Sequence, residues 1–285
     1  MRFTKMHGLG NDYVYLDGFA QPLPPPESLP DLARRVSDRH RGIGSDGLIL
    51  IRPAADADCE MEMFNADGSK SEMCGNGIRC VAKYVHDRGI ARKKDLRVKT
   101  GAGVLALRVV EERGGEAVRV RVEMGVPRLL RSEIPMGGPP GERAVGVPLR
   151  AIDREFRMTG VSVGNPHCVI FLDGGEPVRD FPVEKYGPFI ERMPLFPHRV
   201  NVHFVEPLGD GSLRQRTWER GTGETQACGT GATATGVAAV LNGLRSGAIT
   251  VRLPGGDLEI EWRGDGPVFM TGPAEHVFDG EWRGR

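Results

Sequence analysis

The chain has no surplus of either charge: lysine plus arginine number 38, and so do aspartate plus glutamate. A balanced chain sets up no global field, so neither nucleic acid nor an anionic membrane is expected as a partner. No stretch nears the ~18 uninterrupted apolar residues of a membrane span. The opening Met1-Arg2-Phe3-Thr4-Lys5 lacks the apolar core of a signal peptide. These absences point to a cytoplasmic protein that handles a small molecule. The five cysteines, Cys59, Cys74, Cys80, Cys168 and Cys228, are an odd number and contain no C-x-x-C pair. Neither a disulfide framework nor a zinc ribbon is expected, and no metal site. A free cysteine is usually a small buried hydrophobe, and Cys59, Cys80 and Cys168, in apolar or strand-like stretches, are assigned to packing.

At 285 residues the chain has room for two ordinary domains. Glycine and proline recur between short β-branched runs, among them Leu105–Val110, Val118–Val122, Val161–Val163, Val169–Leu172 and Ile249–Leu253. That pattern predicts many short strands. Ile78, Val81, Ala82 and Val85 recur at helical spacing before Gly89 and predict an amphipathic helix. Ala232 to Leu241 is small and apolar on nearly every face, which predicts a helix buried all round. The proline-rich residues 20–30 and the proline- and glycine-rich residues 135–148 are expected to be loops.

The two halves carry a repeat. At an offset of 154 positions Gly10-Asn11 falls on Gly164-Asn165, Asn65 on Glu219, Cys74-Gly75 on Cys228-Gly229, Gly77 on Gly231, and Gly47 on Asn201. One glycine pair would mean little in a chain with 40 glycines, but a shared offset for cysteine, asparagine and glycine is hard to obtain by chance. Two similar domains are expected, residues 1–127 and 128–272, with 273–285 returning to the first because it lies past the end of the repeat. The site is expected in the cleft between them.

Each repeated cysteine stands just before a glycine-rich helix start, Cys74-Gly75-Asn76-Gly77 and Cys228-Gly229-Thr230-Gly231. A helix N-terminus presents amide N–H groups and partial positive charge, which favour a carboxylate and a thiolate. The expectation is therefore a thiol lowered from its usual pKa of ~8.5 toward working pH. Inverting a carbon beside a carboxylate requires taking a proton from one face and delivering one to the other. Two opposed thiols, one starting ionised, accomplish this without a cofactor, and their titrations are coupled.

The segments Gly8 to Asp12, Phe64 to Ser69, Met73 to Arg79, Gly164 to His167, and Trp218 to Gly221 with Ala227 to Gly231 resemble the motifs of the diaminopimelate epimerase family. The resemblance runs from residue 8 to about residue 240. It implies an α/β (α+β) fold of two pseudo-symmetric domains, each a mostly antiparallel barrel-like sheet around a central helix. It also implies conversion of LL-2,6-diaminopimelate to the meso form, in lysine and peptidoglycan precursor synthesis, by a cytoplasmic homodimer using neither pyridoxal phosphate nor metal. Position by position, it implies acid/base roles for Cys74 and Cys228, and tuning of the thiols by His167 and Glu219. Gly75-Asn76 and Gly229-Thr230 would hold the reacting carboxylate. Asn11, Asn65, Asn165, Asn201, Glu219 and Arg220 would bind the amino and carboxylate groups. Gly47 stands where some relatives place a substrate-reaching glutamine, and is left out of the site.

Other readings fit less well. The asparagines suit turns and caps, and Glu219-Arg220 suits a surface ion pair; the shared offset and the motif matches favour function. Gly229-x-Gly231 lacks the third glycine and the following acidic residue of a dinucleotide fingerprint. A proline or hydroxyproline racemase would usually carry histidine at the position of Asn76, and a phenazine-type isomerase does not use paired thiols. A redox-gated binding protein, closed by a Cys74–Cys228 disulfide, is the alternative from a different class.

Overall fold

The computed structural model describes residues 1–71 and 73–284; Arg285, the end of the segment expected to return to the first domain, lies outside the described residues. The chain forms two compact units, residues 1–122 with 271–285, and residues 123–270.

In the first unit, β1 (Arg2–Gly8) turns into β2 (Asn11–Asp17) through Leu9 and Gly10, both at positive φ. Positive φ at both central positions gives a turn whose twist matches the strand pair. Then follow α1 (Leu29–Ser37), β3 (Gly47–Arg52), β4 (Cys59–Asn65), β5 (Lys70–Ser71), α2 (Gly75–Asp87), β6 (Asp95–Thr100), β7 (Gly103–Arg113) and β8 (Glu116–Glu123). Strand β3 is parallel to β2 and antiparallel to β4; β6 is parallel to β4 and antiparallel to β7. The C-terminal strand Glu275–Glu281 pairs antiparallel with β1.

The sheet curls round α2, which packs on β1, β2, β4, β6 and β7. Strand β3 reads Leu48-Ile49-Leu50-Ile51 with no polar alternation, and all four side chains are fully buried. A strand with both faces covered needs no polar face. Leu48 and Leu50 join Leu29, Ala33 and Val36 of α1 in one core, while Ile49 lies against the first turn of α2. Each such side chain taken from water contributes ~1.5–3 kcal/mol.

The second unit runs β9 (Val147–Ala151), β10 (Arg154–Ser162), β11 (Pro166–Phe171), α3 (Val183–Glu191), β12 (Asn201–Pro207), β13 (Leu213–Glu219), β14 (Gly223–Thr225), α4 (Gly229–Leu241), β15 (Ala248–Leu253) and β16 (Gly256–Glu261). Its topology repeats the first: β11 and β12 are parallel, β12 and β13 antiparallel, β13 and β15 parallel, β15 and β16 antiparallel. Helix α4 packs on β10, β11, β12, β15 and β16.

The offset of 154 seen in the sequence is a strand register. Tyr13 pairs with Gly47 as His167 pairs with Asn201, and Leu48 pairs with Phe64 as Val202 pairs with Trp218. Helices α1 and α3 begin and end one offset apart, and so do α2 and α4.

Some expectations fail. Helix α2 is not amphipathic in its setting: Gly75 to His86 are all buried, Arg79, Lys83 and His86 included. Its polar side is satisfied internally, Lys83 Nζ donating to Asp87 Oδ2 at 2.7 Å and to the Ala117 carbonyl at 2.8 Å. Residues 20–30 are not all loop, because α1 starts at Leu29 with Pro30 in its first turn, where a missing N–H costs nothing. Residues 135–148 are irregular until β9 opens at Val147.

Candidate active site

Cys74 has extended backbone (φ −133°, ψ 120°) and caps α2, its Sγ accepting from Gly77 N–H at 3.4 Å. Ile78 N–H closes the first helical bond onto the Cys74 carbonyl at 2.9 Å, and the amides of Gly75 to Gly77 stand ahead of that bond. The Tyr13 hydroxyl donates to Cys74 Sγ at 3.6 Å, and the thiol donates to Asn11 Oδ1 at 3.5 Å. Asn11 Oδ1 also accepts from Asn76 Nδ2 at 3.2 Å. Asn11 is held from behind: its Nδ2 donates to Asp46 Oδ2 at 2.7 Å, and Asp46 pairs with Arg39 at 3.0 Å. Fully buried Arg79 underlies the turn, donating to Gly75 O at 3.0 Å and Asn76 Oδ1 at 3.1 Å.

Cys228 caps α4 in the same extended conformation (φ −124°, ψ 103°), with Ala232 N–H on its carbonyl at 2.9 Å. Its Sγ lies 3.6 Å from Thr230 Oγ1, and Thr230 Oγ1 accepts from Asn165 Nδ2 at 3.4 Å. Asn165 Oδ1 meets His167 Nε2 at 2.8 Å, and His167 Nδ1 meets His203 Nε2 at 2.8 Å. The Glu219 carboxylate faces Cys228 and also accepts from Thr225 Oγ1 at 2.6 Å.

Both thiols are harder to ionise than a free cysteine, which reverses the expectation drawn from helix ends. Burial pushes Cys74 up, against the Gly77 amide, the Tyr13 hydroxyl, the Asn76 amide and the Arg79 charge. Burial pushes Cys228 well up, and the Glu219 carboxylate adds to it, while Thr230 and the Gly231 amide oppose. In the resting site desolvation outweighs the helix dipole. Burial also holds His167 well below the usual histidine range, with the His203 and Arg220 charges adding.

The structure thus gathers Asn11, Cys74, Gly75 and Asn76 at one helix mouth, and Asn165, His167, Glu219, Cys228, Gly229 and Thr230 at the other. Asn65 ends β4 and donates to Ser69 Oγ at 2.9 Å across the following turn. Asn201 braces the chain, its Nδ2 donating to Pro166 O at 3.0 Å and its Oδ1 accepting Arg220 N–H at 2.9 Å. The exposed Arg220 side chain donates to His198 O at 3.1 Å. At Gly47 a Cβ would fall 2.2 Å from the Phe64 carbonyl and 3.0 Å from Tyr13 Cε1, so this backbone admits no side chain there.

Sequence reasoning passed over Tyr13, Asp46, Arg79 and His203. Tyr13 was findable, since it lies one offset before His167. His203 shows only as a polar residue inside the apolar run Val202-His203-Phe204-Val205. Cys59, Cys80 and Cys168 are fully buried. A cavity of about 490 Å³ lies at the far end of α2, lined by Tyr84, Arg88 and Asp279, and holds none of the residues of either helix mouth. Among the described residues no helix is long and apolar enough to cross a membrane, and no cluster of histidine, cysteine and carboxylate side chains is placed to hold a metal ion.

The diaminopimelate epimerase family model matches residues 3–130 and 159–277. A diaminopimelate epimerase from Desulforudis audaxviator is 54% identical over 283 residues, covering 99% of each chain. One from Pelotomaculum thermopropionicum is 51% identical over 282 residues, again 99% of each. In fold, the chain is similar to a probable proline racemase from Agrobacterium radiobacter, with a TM-score of 0.68 at 19% identity over 99% of this chain and 92% of that one. Near-complete coverage at half identity, with both cysteine-capped helices inside the matched segments, decides the assignment: this chain belongs to the diaminopimelate epimerase family.

Proposed function

We propose that the chain interconverts LL-2,6-diaminopimelate and its meso isomer without a cofactor, as an amino-acid isomerase of lysine and peptidoglycan precursor synthesis. The observation that carries this is the pair of helices of equal length at repeat-equivalent positions, each capped by a cysteine. The relatives named diaminopimelate epimerase supply the substrate.

In this reading the thiolate of one cysteine takes the α-proton and the thiol of the other delivers a proton to the opposite face. The two then exchange protonation states, and solvent restores them. Gly75-Asn76 and Gly229-Thr230 receive the reacting carboxylate, whose charge grows in the enolate-like transition state. Asn11, Asn65, Asn165, Asn201 and Glu219 hold amino and carboxylate groups, and Arg220 forms a bidentate pair with the distal carboxylate. Glu219 and His167 tune the thiols. The substrate ammonium adds positive charge beside the sulfurs, offsetting the burial that keeps both thiols protonated. The active protein is read as a cytoplasmic homodimer.

The test is incubation of reduced protein with LL-diaminopimelate in heavy water, with chelator and without pyridoxal phosphate. Meso product bearing one solvent deuterium at an α-carbon, lost in Cys74→Ser and in Cys228→Ser, is expected. Absence of both exchange and isomerisation in the parent protein would overturn the assignment.

A further inference from the structure

Behind Cys228 a line of polar side chains runs through the interior of the second unit. His203 and His167 are both fully inaccessible, as is Gln215. Gln215 Nε2 lies 3.1 Å from His203 Nδ1 and 2.8 Å from Thr217 Oγ1, and Thr217 Oγ1 is 3.0 Å from His203 Nδ1. From there the line passes through His203 Nε2, His167 Nδ1, His167 Nε2, Asn165 Oδ1, Asn165 Nδ2 and Thr230 Oγ1 to Cys228 Sγ.

The donors and acceptors permit one direction. Asn165 Oδ1 only accepts, so His167 carries its proton on Nε2. A neutral His167 then has a bare Nδ1, which needs a donor, and the atom facing it at 2.8 Å is His203 Nε2. With His203 protonated on Nε2, its bare Nδ1 accepts from Gln215 or Thr217. Gln215 is turned to give both its amide protons to this cluster, leaving its buried Oε1 without a hydrogen-bond partner among the described residues. At the other end Thr230 Oγ1 accepts from Asn165 Nδ2, which keeps the Thr230 proton available to Cys228 Sγ.

We infer that His203 is a positioning residue: its Nε2–H fixes the tautomer of His167, and through Asn165 the direction in which the Thr230 hydroxyl faces Cys228. The first unit does this differently. Tyr13, at the position equivalent to His167, donates straight to Cys74, and Ile49 stands where His203 does. Removing the donor at 203 frees His167 and the Asn165 amide to turn together. Asn165 Oδ1 then takes the Thr230 proton away from the sulfur.

Nitrogen-15 histidine spectra of the full chain read the tautomers with no substrate present. Expected are Nε2-protonated, neutral His167 and His203 in the parent protein, the same His167 in His203→Gln, and a mixed or inverted His167 tautomer in His203→Leu. His203→Leu is expected to lower kcat about tenfold with KM within about twofold, and His203→Gln to restore it. Should His203→Leu fail to fold, Gln215→Leu combined with Thr217→Val removes both donors to His203 Nδ1 and is expected to disturb the His203 tautomer. An Nδ1-protonated His167 in the parent, or an unchanged single tautomer and unchanged kcat in His203→Leu, would overturn the inference. The kinetic arm rests on the proposed epimerase activity. A parent protein with the expected tautomers but no turnover of diaminopimelate would refute that activity and leave the inference about His203 standing.

Discussion

The Cβ that Gly231 lacks would stand 2.3 Å from Cε1 of His203, inside the ring's own contact distance. Its counterpart, Gly77, faces the tip of Ile49, with Cδ1 at 2.7 Å. An isoleucine terminus swings aside, whereas a ring held at both nitrogens does not. Gly231→Ala is therefore expected to cost ~1–3 kcal/mol by overpacking. Gly77→Ala, which gains helix propensity, is expected to stay within ~1 kcal/mol of the parent. Urea unfolding compares them, and equal losses would contradict a firmly held His203.

Tyr13→Phe removes a hydroxyl that favours the Cys74 thiolate. The Cys74 thiol should rise further, so its alkylation by iodoacetamide should slow at neutral pH and its pH profile move to the alkaline side. Peptide mapping separates this from Cys59 and Cys80, which burial pushes up to about 12 and about 11. An unchanged Cys74 profile would show that the 3.6 Å contact does not act on the sulfur.

Glu219→Gln takes a negative charge away from Cys228. The thiol should become easier to ionise and label faster near neutrality. Turnover should nevertheless fall, because the same carboxylate is proposed to hold the substrate amine. Slower labelling in the resting variant would mean that Glu219 acts on Cys228 by something other than its charge.

The buried histidines make the second unit sensitive to acid. Burial holds His203 down to about 3, whereas an unfolded histidine titrates near ~6.5. Below that value the unfolded chain takes up a proton that the folded one refuses, so stability is full above pH ~6.5 and drains away as the pH falls toward 3. Denaturation followed from pH 7 to 4 should show a steeper loss in the parent than in His203→Leu. Parallel curves would remove His203 from the acid response.

Much of this was legible beforehand because a repeat constrains two places at once: the matched cysteines marked both helix starts, and the shared offset pointed to two similar domains, while strand register appeared only in the structure. Helices α1 and α3 were missed for a local reason. Their prolines read as loop, yet α1 takes Pro30 into its first turn, and α3 starts after Pro182 and contains Pro188. The thiol pKa values were misjudged because spacing reveals a helix end but not the depth at which it is buried. His203 went unnoticed because a single histidine in an apolar strand is indistinguishable in sequence from a satisfied core residue. Only the neighbouring strands bring Gln215 and His167 to its two nitrogens.

The equal spacing of α1 with α3 and of α2 with α4 leaves a record of how length has been tolerated. From Leu29 to Asp87 in one half and Val183 to Leu241 in the other, neither copy has a net gain or loss of a residue relative to its twin. The count slips only past the second helix, where Asp95 opens β6 and Ala248 opens β15 one position out of step. Between α1 and the cysteine, β3, β4, β5 and their connections together span the same length as their twins in the other half, whereas the connection beyond the helix C-terminus differs by one residue.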